Sequence, residues 1–158
     1  MNKFMEIAKN LSEENLNTNQ GGPFGACIVK DGKIIGKGSN HVLKDNDPTA
    51  HAEVVAIRDA CKNINSYDLS GCELYTTCYP CPMCIAATIW ANVKKVYYGN
   101  NKEDAANIGF RDEFIYRYIN SLNEGNNDDS ILELQNIDRE ETIKVFDKFS
   151  MKDDKMIY

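Results

Sequence analysis

Two short runs carry the residue types needed for metal-assisted proton chemistry. His51-Ala52-Glu53 offers an imidazole and a carboxylate, and about thirty residues further on Pro80-Cys81-Pro82-Met83-Cys84 offers two thiols. One neutral nitrogen and two thiolates are good ligands for tetrahedral Zn²⁺ and leave its fourth position for water. The ion makes that water acidic, and a nearby carboxylate can carry the proton. Cys81 and Cys84 are three apart, so on a helix their side chains lie about 60° apart, on one face. A helix start favours thiolates because its free N–H groups stabilise negative charge, and Pro82 suits a first turn. Glu53 lies two positions from His51, a divergence of about 200° along a helix. Joint ligation by the two is awkward, whereas a carboxylate reaching past the metal towards its water is easier to build. His51, Cys81 and Cys84 are the expected metal ligands, and Glu53 is the expected proton shuttle.

Plainer readings compete. Cys78 would complete a closed Cys₃His structural site, but Pro80 biases Tyr79 to an extended conformation and leaves Cys78 on the strand side of the turn. A C-x-x-C redox pair leaves His51 and Glu53 unexplained. Glu53 alone would be a routine first-turn acid. His41 reads as a loop or packing residue, and Cys27, Cys61 and Cys72 as small buried hydrophobes.

The elements that must position these residues follow from periodicity. Phe4, Ala8 and Leu11 share a helical face, with Gly21-Gly22-Pro23 as the stop. Two apolar-rich runs, 25–30 and 33–38, flank Asp31-Gly32, a hairpin signal. Thr49 is the expected cap of a helix over 50–62, in which Val54, Ile57 and Cys61 keep the spacing. Strands are expected over 73–77 and 93–98, with a helix from Pro82 to Ala91 between them. Helices are expected over 112–120 and 138–149, separated by a solvated loop over 124–129 and a short strand over 131–134. Strands alternating with helices imply a parallel pair inside a mixed sheet, with helices on its faces.

A chain of 158 residues with 42% apolar and 27% charged residues is long enough for one domain with a real core. The net charge of -6 and the absence of a Lys/Arg stripe weigh against binding a nucleic-acid backbone, but not against a small neutral base. The longest nearly apolar run, 84–91, is too short to span a bilayer. No signal-like run opens the sequence, so the cytoplasm is the expected location. In that setting six cysteines read as metal or redox chemistry more readily than as disulfides.

Along nearly the whole chain, Gly22-Pro23-Phe24-Gly25-Ala26, Asn40, Pro48-Thr49-Ala50-His51-Ala52-Glu53 and Pro80-Cys81-Pro82-Met83-Cys84 resemble the cytidine deaminase-like superfamily, marked by H-x-E followed by P-C-x-x-C. Asp104-Ala105-Ala106, Gly109-Phe110, Asp112 and Tyr158 are similar to the bacterial guanine deaminases within it. The tRNA adenosine deaminases share the zinc motifs but not this C-terminal half. The resemblance implies an α/β fold of three α-β-α layers around a five-stranded mixed sheet, forming a single deaminase domain over 1–158. It implies one Zn²⁺ per chain and hydrolysis of the exocyclic amine of guanine, giving xanthine and ammonia. It implies a homodimer in which the C-terminal segment, 138–158, is exchanged, so that Tyr158 closes the neighbour's site. It places Asp112 near the substrate amine as a second catalytic carboxylate and Tyr158 among the substrate contacts; Asn40, after a strand, can give a donor and an acceptor to a purine edge, Phe24 can stack on a flat base, and Ala52 is the remaining expected substrate contact.

From the residues alone, Asp112 reads equally as a helix cap, Asn40 as a turn residue, Phe24 as a core anchor and Trp90 as core or dimer contact. The tail from Met151 to Tyr158 reads as a frayed end. One position departs from the family pattern: the residue before Pro80, often Glu, is Tyr79. The departure bears on substrate more than on reaction type. The other readings are a deaminase of a cytosine- or adenine-type base or nucleoside, a tRNA adenosine deaminase, a structural zinc scaffold that binds a partner, and a thiol redox or metal-buffering protein.

Overall fold

The hairpin signal lies between two strands, β1 (Gly25–Lys30) and β2 (Lys33–Ser39). Asp31 and Gly32 both have positive φ, 49° and 72°, as a two-residue turn matched to strand twist requires. In the computed structural model, which describes residues 1–126 and 128–157, two further strands complete the sheet, β3 (Glu73–Cys78) and β4 (Lys95–Asn100). The strand order is β2-β1-β3-β4. β1 runs antiparallel to β2 and β3, and β3 runs parallel to β4. The parallel pair needs a crossover, which helix α4 (Pro82–Trp90) supplies.

The expected mixed sheet is present, but with four strands and not five among the described residues. The run 131–134, read as a last strand, is not one. The Ile131 and Leu132 amides both turn back onto the Asp128 carbonyl, and the Leu132 carbonyl accepts the Tyr118 hydroxyl at 2.9 Å. Groups committed to a turn cannot also form a ladder.

Strand alternation sorts the core into two sides. Cys27, Val29 and Tyr75 face α1 (Lys3–Glu14), where Phe4 and Met5 pack on them. Ala26, Ile28 and Leu74 face the other way, against Ala52, Ala56, Ile57 and Ala60 of α3 (Ala52–Ile64), with Ala87 and Ala91 from the end of α4. This is the α-β-α layering expected of the fold. β2 bears directly on the site. A Cβ at Gly38 would lie 2.3 Å from the Ala52 carbonyl oxygen, and one at Gly36 would lie 2.5 Å from that of Ala56. Only glycine lets α3 lie this close, and the contact fixes where the helix begins.

Several boundaries differ from those read in the sequence. The cap of α3 is His51, not Thr49; the Thr49 hydroxyl donates instead to Asp47 Oδ1 at 2.7 Å. α1 ends at Glu14, well before Gly21-Gly22-Pro23. The reason is Asn15, buried and turned inward, whose amide donates to the Gly22 and Asn40 carbonyls at 2.8 Å each. Two short helices went unread, α2 (Val42–Asp45) and α5 (Lys102–Asn107); neither is long enough to show a period. α6 (Glu113–Asn123) and α7 (Arg139–Ser150) are where periodicity puts them, to within three residues.

The chain divides into two compact units, Met1–Tyr116 and Arg117–Tyr158. The sheet and every candidate site residue discussed below belong to the first, except Tyr158, which lies outside the described residues. Among the described residues no helix is long and apolar enough to cross a membrane.

Candidate active site

The two motifs converge because each sits at the start of a helix that follows an extended segment. His51 (φ -69°, ψ 154°) is the N-cap of α3 and Cys81 (φ -67°, ψ 167°) the N-cap of α4. Neither side chain caps its own helix, so both are free to reach across. Cys84 lies in the first turn of α4. His51 Nδ1 stands 3.5 Å from Cys81 Sγ and 3.6 Å from Cys84 Sγ, and the three donor atoms lie within 4.8 Å of one another. With Zn–S of about 2.3 Å and Zn–N of about 2.0–2.1 Å at a tetrahedral angle, sulfur and nitrogen must stand about 3.5–3.6 Å apart. The donor set therefore fits zinc in both chemistry and spacing. The hydrogen bond from Cys84 holds the Cys81 thiol well below its ordinary value, with His51 adding to the effect against burial. The bond with Cys81 in turn raises His51.

Glu53 is 6% exposed, so its carboxylate needs partners. Thr76, fully buried on β3, donates to Oε1 at 2.9 Å, and the Cys84 thiol lies 3.3 Å from Oε2. One oxygen is thus tied to the sheet and the other turned to the metal donors. Burial pushes the Glu53 carboxyl up from its ordinary value, opposed by these hydrogen bonds. A carboxyl raised in this way is suited to taking and giving a proton near neutrality.

A cavity of about 660 Å³ opens beside these groups, lined in part by His51, Glu53 and Cys81. That volume lies in the usual range for small-molecule sites. Asn40, Phe24 and Asp112 also line it. Asn40 is buried, and its Oδ1 accepts the Val42 N–H at 3.2 Å. An atom that accepts a backbone N–H is oxygen, which fixes the amide's orientation and leaves its NH₂ free to donate to a ligand. Phe24 meets Phe110 edge to face, with centroids 4.9 Å apart. The Asp112 carbonyl receives the Ile115 and Tyr116 amides, while burial raises its carboxyl. Asp112 thus stands at the N-terminal boundary of α6, and it lines the cavity as well, so the position suits a helix cap and a site carboxylate alike.

Ala52 differs from the other candidates. Its methyl is fully buried in the core against α3's own sheet face and does not line the cavity. At the first helical position its N–H has no partner within the helix, so a backbone contact is what it can offer. Cys78 lines the cavity, yet lies outside the donor group. Its thiol faces the Asn101 carbonyl at 3.5 Å, and burial pushes it up to about 11. His41 pairs with Ser39 at 3.1 Å, away from the ligands. Trp90 is 68% exposed and is not core.

Sequence reasoning missed Thr76, Lys102 and Tyr116. Thr76 carried one signal, a polar residue between apolar neighbours in a buried strand, which needs a partner. The other two become visible only when α5 and α6 are brought together.

Residues 1–100 match the family model for the cytidine and deoxycytidylate deaminase zinc-binding region. A guanine deaminase of Bacillus subtilis (strain 168) is 55% identical over 116 residues, which span 73% of this chain and 74% of that protein. An X-ray structure of guanine deaminase from Bacillus subtilis matches with a TM-score of 0.90 at 43% identity, covering 100% of this chain and 99% of the other. A tRNA-specific adenosine deaminase of Aquifex aeolicus (strain VF5) is 50% identical over 76 residues, 48% of this chain and 50% of that protein.

Proposed function

The chain belongs to the cytidine and deoxycytidylate deaminase family, and from that premise we propose that it hydrolyses guanine to xanthine and ammonia. The support is the His51–Cys81–Cys84 triangle with Glu53 Oε2 beside it, on a chain alike over its whole length to a guanine deaminase structure. His51, Cys81 and Cys84 would hold one Zn²⁺, and the ion, when bound, lowers the pKa of water from about 15.7 towards 7.

The chain's own residues do the rest. Glu53 takes a proton at Oε2 from the attacking water and delivers it to a ring nitrogen, while Thr76 fixes Oε1 and so aims the group. The Asn40 NH₂ donates to an acceptor on the purine edge, and the Ala52 N–H offers a second donor. Phe24, steadied by Phe110, stacks on the flat base. Glu53 then takes the second proton, from the hydroxyl added at carbon 2, and gives it to the exocyclic nitrogen, so that the C–N bond breaks with loss of ammonia as the carbonyl forms; Asp112 orients that amine by accepting a hydrogen bond from it.

The active form is a cytoplasmic homodimer in which the segment 138–158 is exchanged and Tyr158 closes the second copy's site. Ile89, Trp90 and Tyr98 in one region, and Val145 and Phe146 on α7, are each at least 50% exposed, apolar surface that a second copy would cover. All six cysteines are free, as a reducing compartment favours.

The test is ammonia release across guanine, adenine, cytosine and their nucleosides, with zinc measured on the same sample. Guanine should be the best substrate, with one zinc per chain. Turnover of adenine or cytosine in its place would overturn the substrate assignment, and tRNA binding that weakens steeply with salt would point to a phosphate backbone instead.

A further inference from the structure

The cavity wall beside the Tyr79-Pro80-Cys81 turn is built around a lysine. Lys102, at the start of α5, places its ammonium 3.7 Å from the centroid of the Tyr116 ring and 4.6 Å from that of Tyr79. Two aromatic faces hold the charge by cation–π attraction without cancelling it. Both rings are themselves anchored. The Tyr116 hydroxyl donates to the Pro80 carbonyl at 3.5 Å, the Tyr79 amide donates to the Asn100 carbonyl at 2.8 Å, and the Tyr79 ring rests edge-on against Tyr98.

Tyr116 also links the lysine to Asp112. The Asp112 carbonyl accepts the Tyr116 N–H at 3.4 Å, so the two are one helical turn apart at the head of α6, on the same face. An ammonium seated on the Tyr116 ring therefore lies at the side of α6 that carries the Asp112 carboxylate. Lys102 and Asp112 line the same cavity. Among the described hydrogen bonds and ion pairs, neither has an opposite-charge partner at contact distance; Arg111 and His51 line the same cavity, but Lys102 is the cation whose attraction bears on the Asp112 carboxyl. A carboxylate at position 79 would pair with the ammonium directly and draw it away. Tyrosine there keeps the charge in place and available.

We propose that Lys102, clamped between Tyr79 and Tyr116, is a positioning residue whose fixed positive charge keeps the Asp112 carboxylate directed at the departing amine. The attraction between Lys102 and Asp112 opposes the burial that raises the Asp112 carboxyl. Lys102 makes no bond to the reacting atoms; it acts through Asp112. The role rests on guanine deamination being the activity.

The test is a double-mutant cycle on the zinc-loaded enzyme, comparing wild type, Lys102→Met, Asp112→Asn and the double variant in kcat and KM for guanine. Lys102→Met should lower kcat roughly tenfold with KM little changed, Lys102→Arg should recover most of the loss, and on the Asp112→Asn background Lys102→Met should cost nothing more. Lys102→Gln removes the charge with a different side chain and should match Lys102→Met. Tyr79→Glu, which neutralises the ammonium without removing it, should lower kcat in the same direction. An active wild type with unchanged kcat in both charge-free variants, or losses that simply multiply in the double variant, overturns the role of Lys102 alone. A zinc-loaded wild type that releases no ammonia from guanine overturns the functional reading, and this role with it.

Discussion

Gly38→Ala probes the link between the sheet and the chemistry. The added methyl would sit 2.3 Å from the Ala52 carbonyl oxygen and 2.5 Å from the Ala56 amide nitrogen, where ordinary contact is 3.4–4 Å. Both neighbours are backbone, so neither can swing aside, and the start of α3 must retreat by roughly 1 Å. His51 and Glu53 move with it, whereas Cys81 and Cys84 are carried by α4. The sulfur–nitrogen distances of 3.5 and 3.6 Å then no longer match a common tetrahedral ion. Overpacking of this kind costs about 1–3 kcal/mol, or roughly 2–12 °C in Tm for a chain of this size. A misplacement of about 1 Å costs on the order of 10²-fold in rate. The assay is kcat for ammonia release, with Tm and zinc stoichiometry on the same preparations. Gly32→Ala is the control, because Gly32 has φ +72° and nothing within 4 Å of its added Cβ. Backbone strain should cost it stability, about 1–2 kcal/mol, and leave kcat alone. Wild-type kcat and Tm in Gly38→Ala would refute the claim that this contact sets the ligand geometry.

Two further outcomes follow from the site. Thr76→Val removes the donor to a buried carboxylate oxygen and should cost about 1–3 kcal/mol in urea unfolding, with a fall in kcat that Thr76→Ser restores; equal stability for Val and wild type would contradict the pairing. Cys78→Ser should keep one zinc per chain, while Cys84→Ser should lose it, as measured by chelator-released metal; zinc loss in Cys78→Ser would mean a closed four-ligand site.

How far the sequence could be read depended on whether the relevant contacts are local. The ligands were legible because His51-x-Glu53 and Cys81-x-x-Cys84 are each short and sit beside helix-start signals. The Asp31-Gly32 hairpin was legible because left-handed turn geometry is written in two residues. Thr49 misled as a cap because α3 starts at Ala52 and His51 is its cap, so Thr49 lies two residues too early, in a turn where its hydroxyl donates to Asp47. The strand read over 131–134 failed because composition shows a β-prone run but not that its first amides turn back onto the Asp128 carbonyl. Thr76 under Glu53, and Lys102 between two tyrosines from different elements, depend on pairings across 23 or more residues in the first case and on three separate segments in the second. No period or spacing records such contacts.

The most direct measurement is guanine turnover by Glu53→Gln with its metal content checked. Glutamine keeps the shape of the side chain and its bond to Thr76, but it cannot accept the proton at Oε2. One zinc per chain should remain while ammonia release falls by roughly 10²–10⁴-fold, the usual worth of a placed acid–base group. A zinc-loaded Glu53→Gln protein that turns guanine over at the wild-type rate would contradict the account.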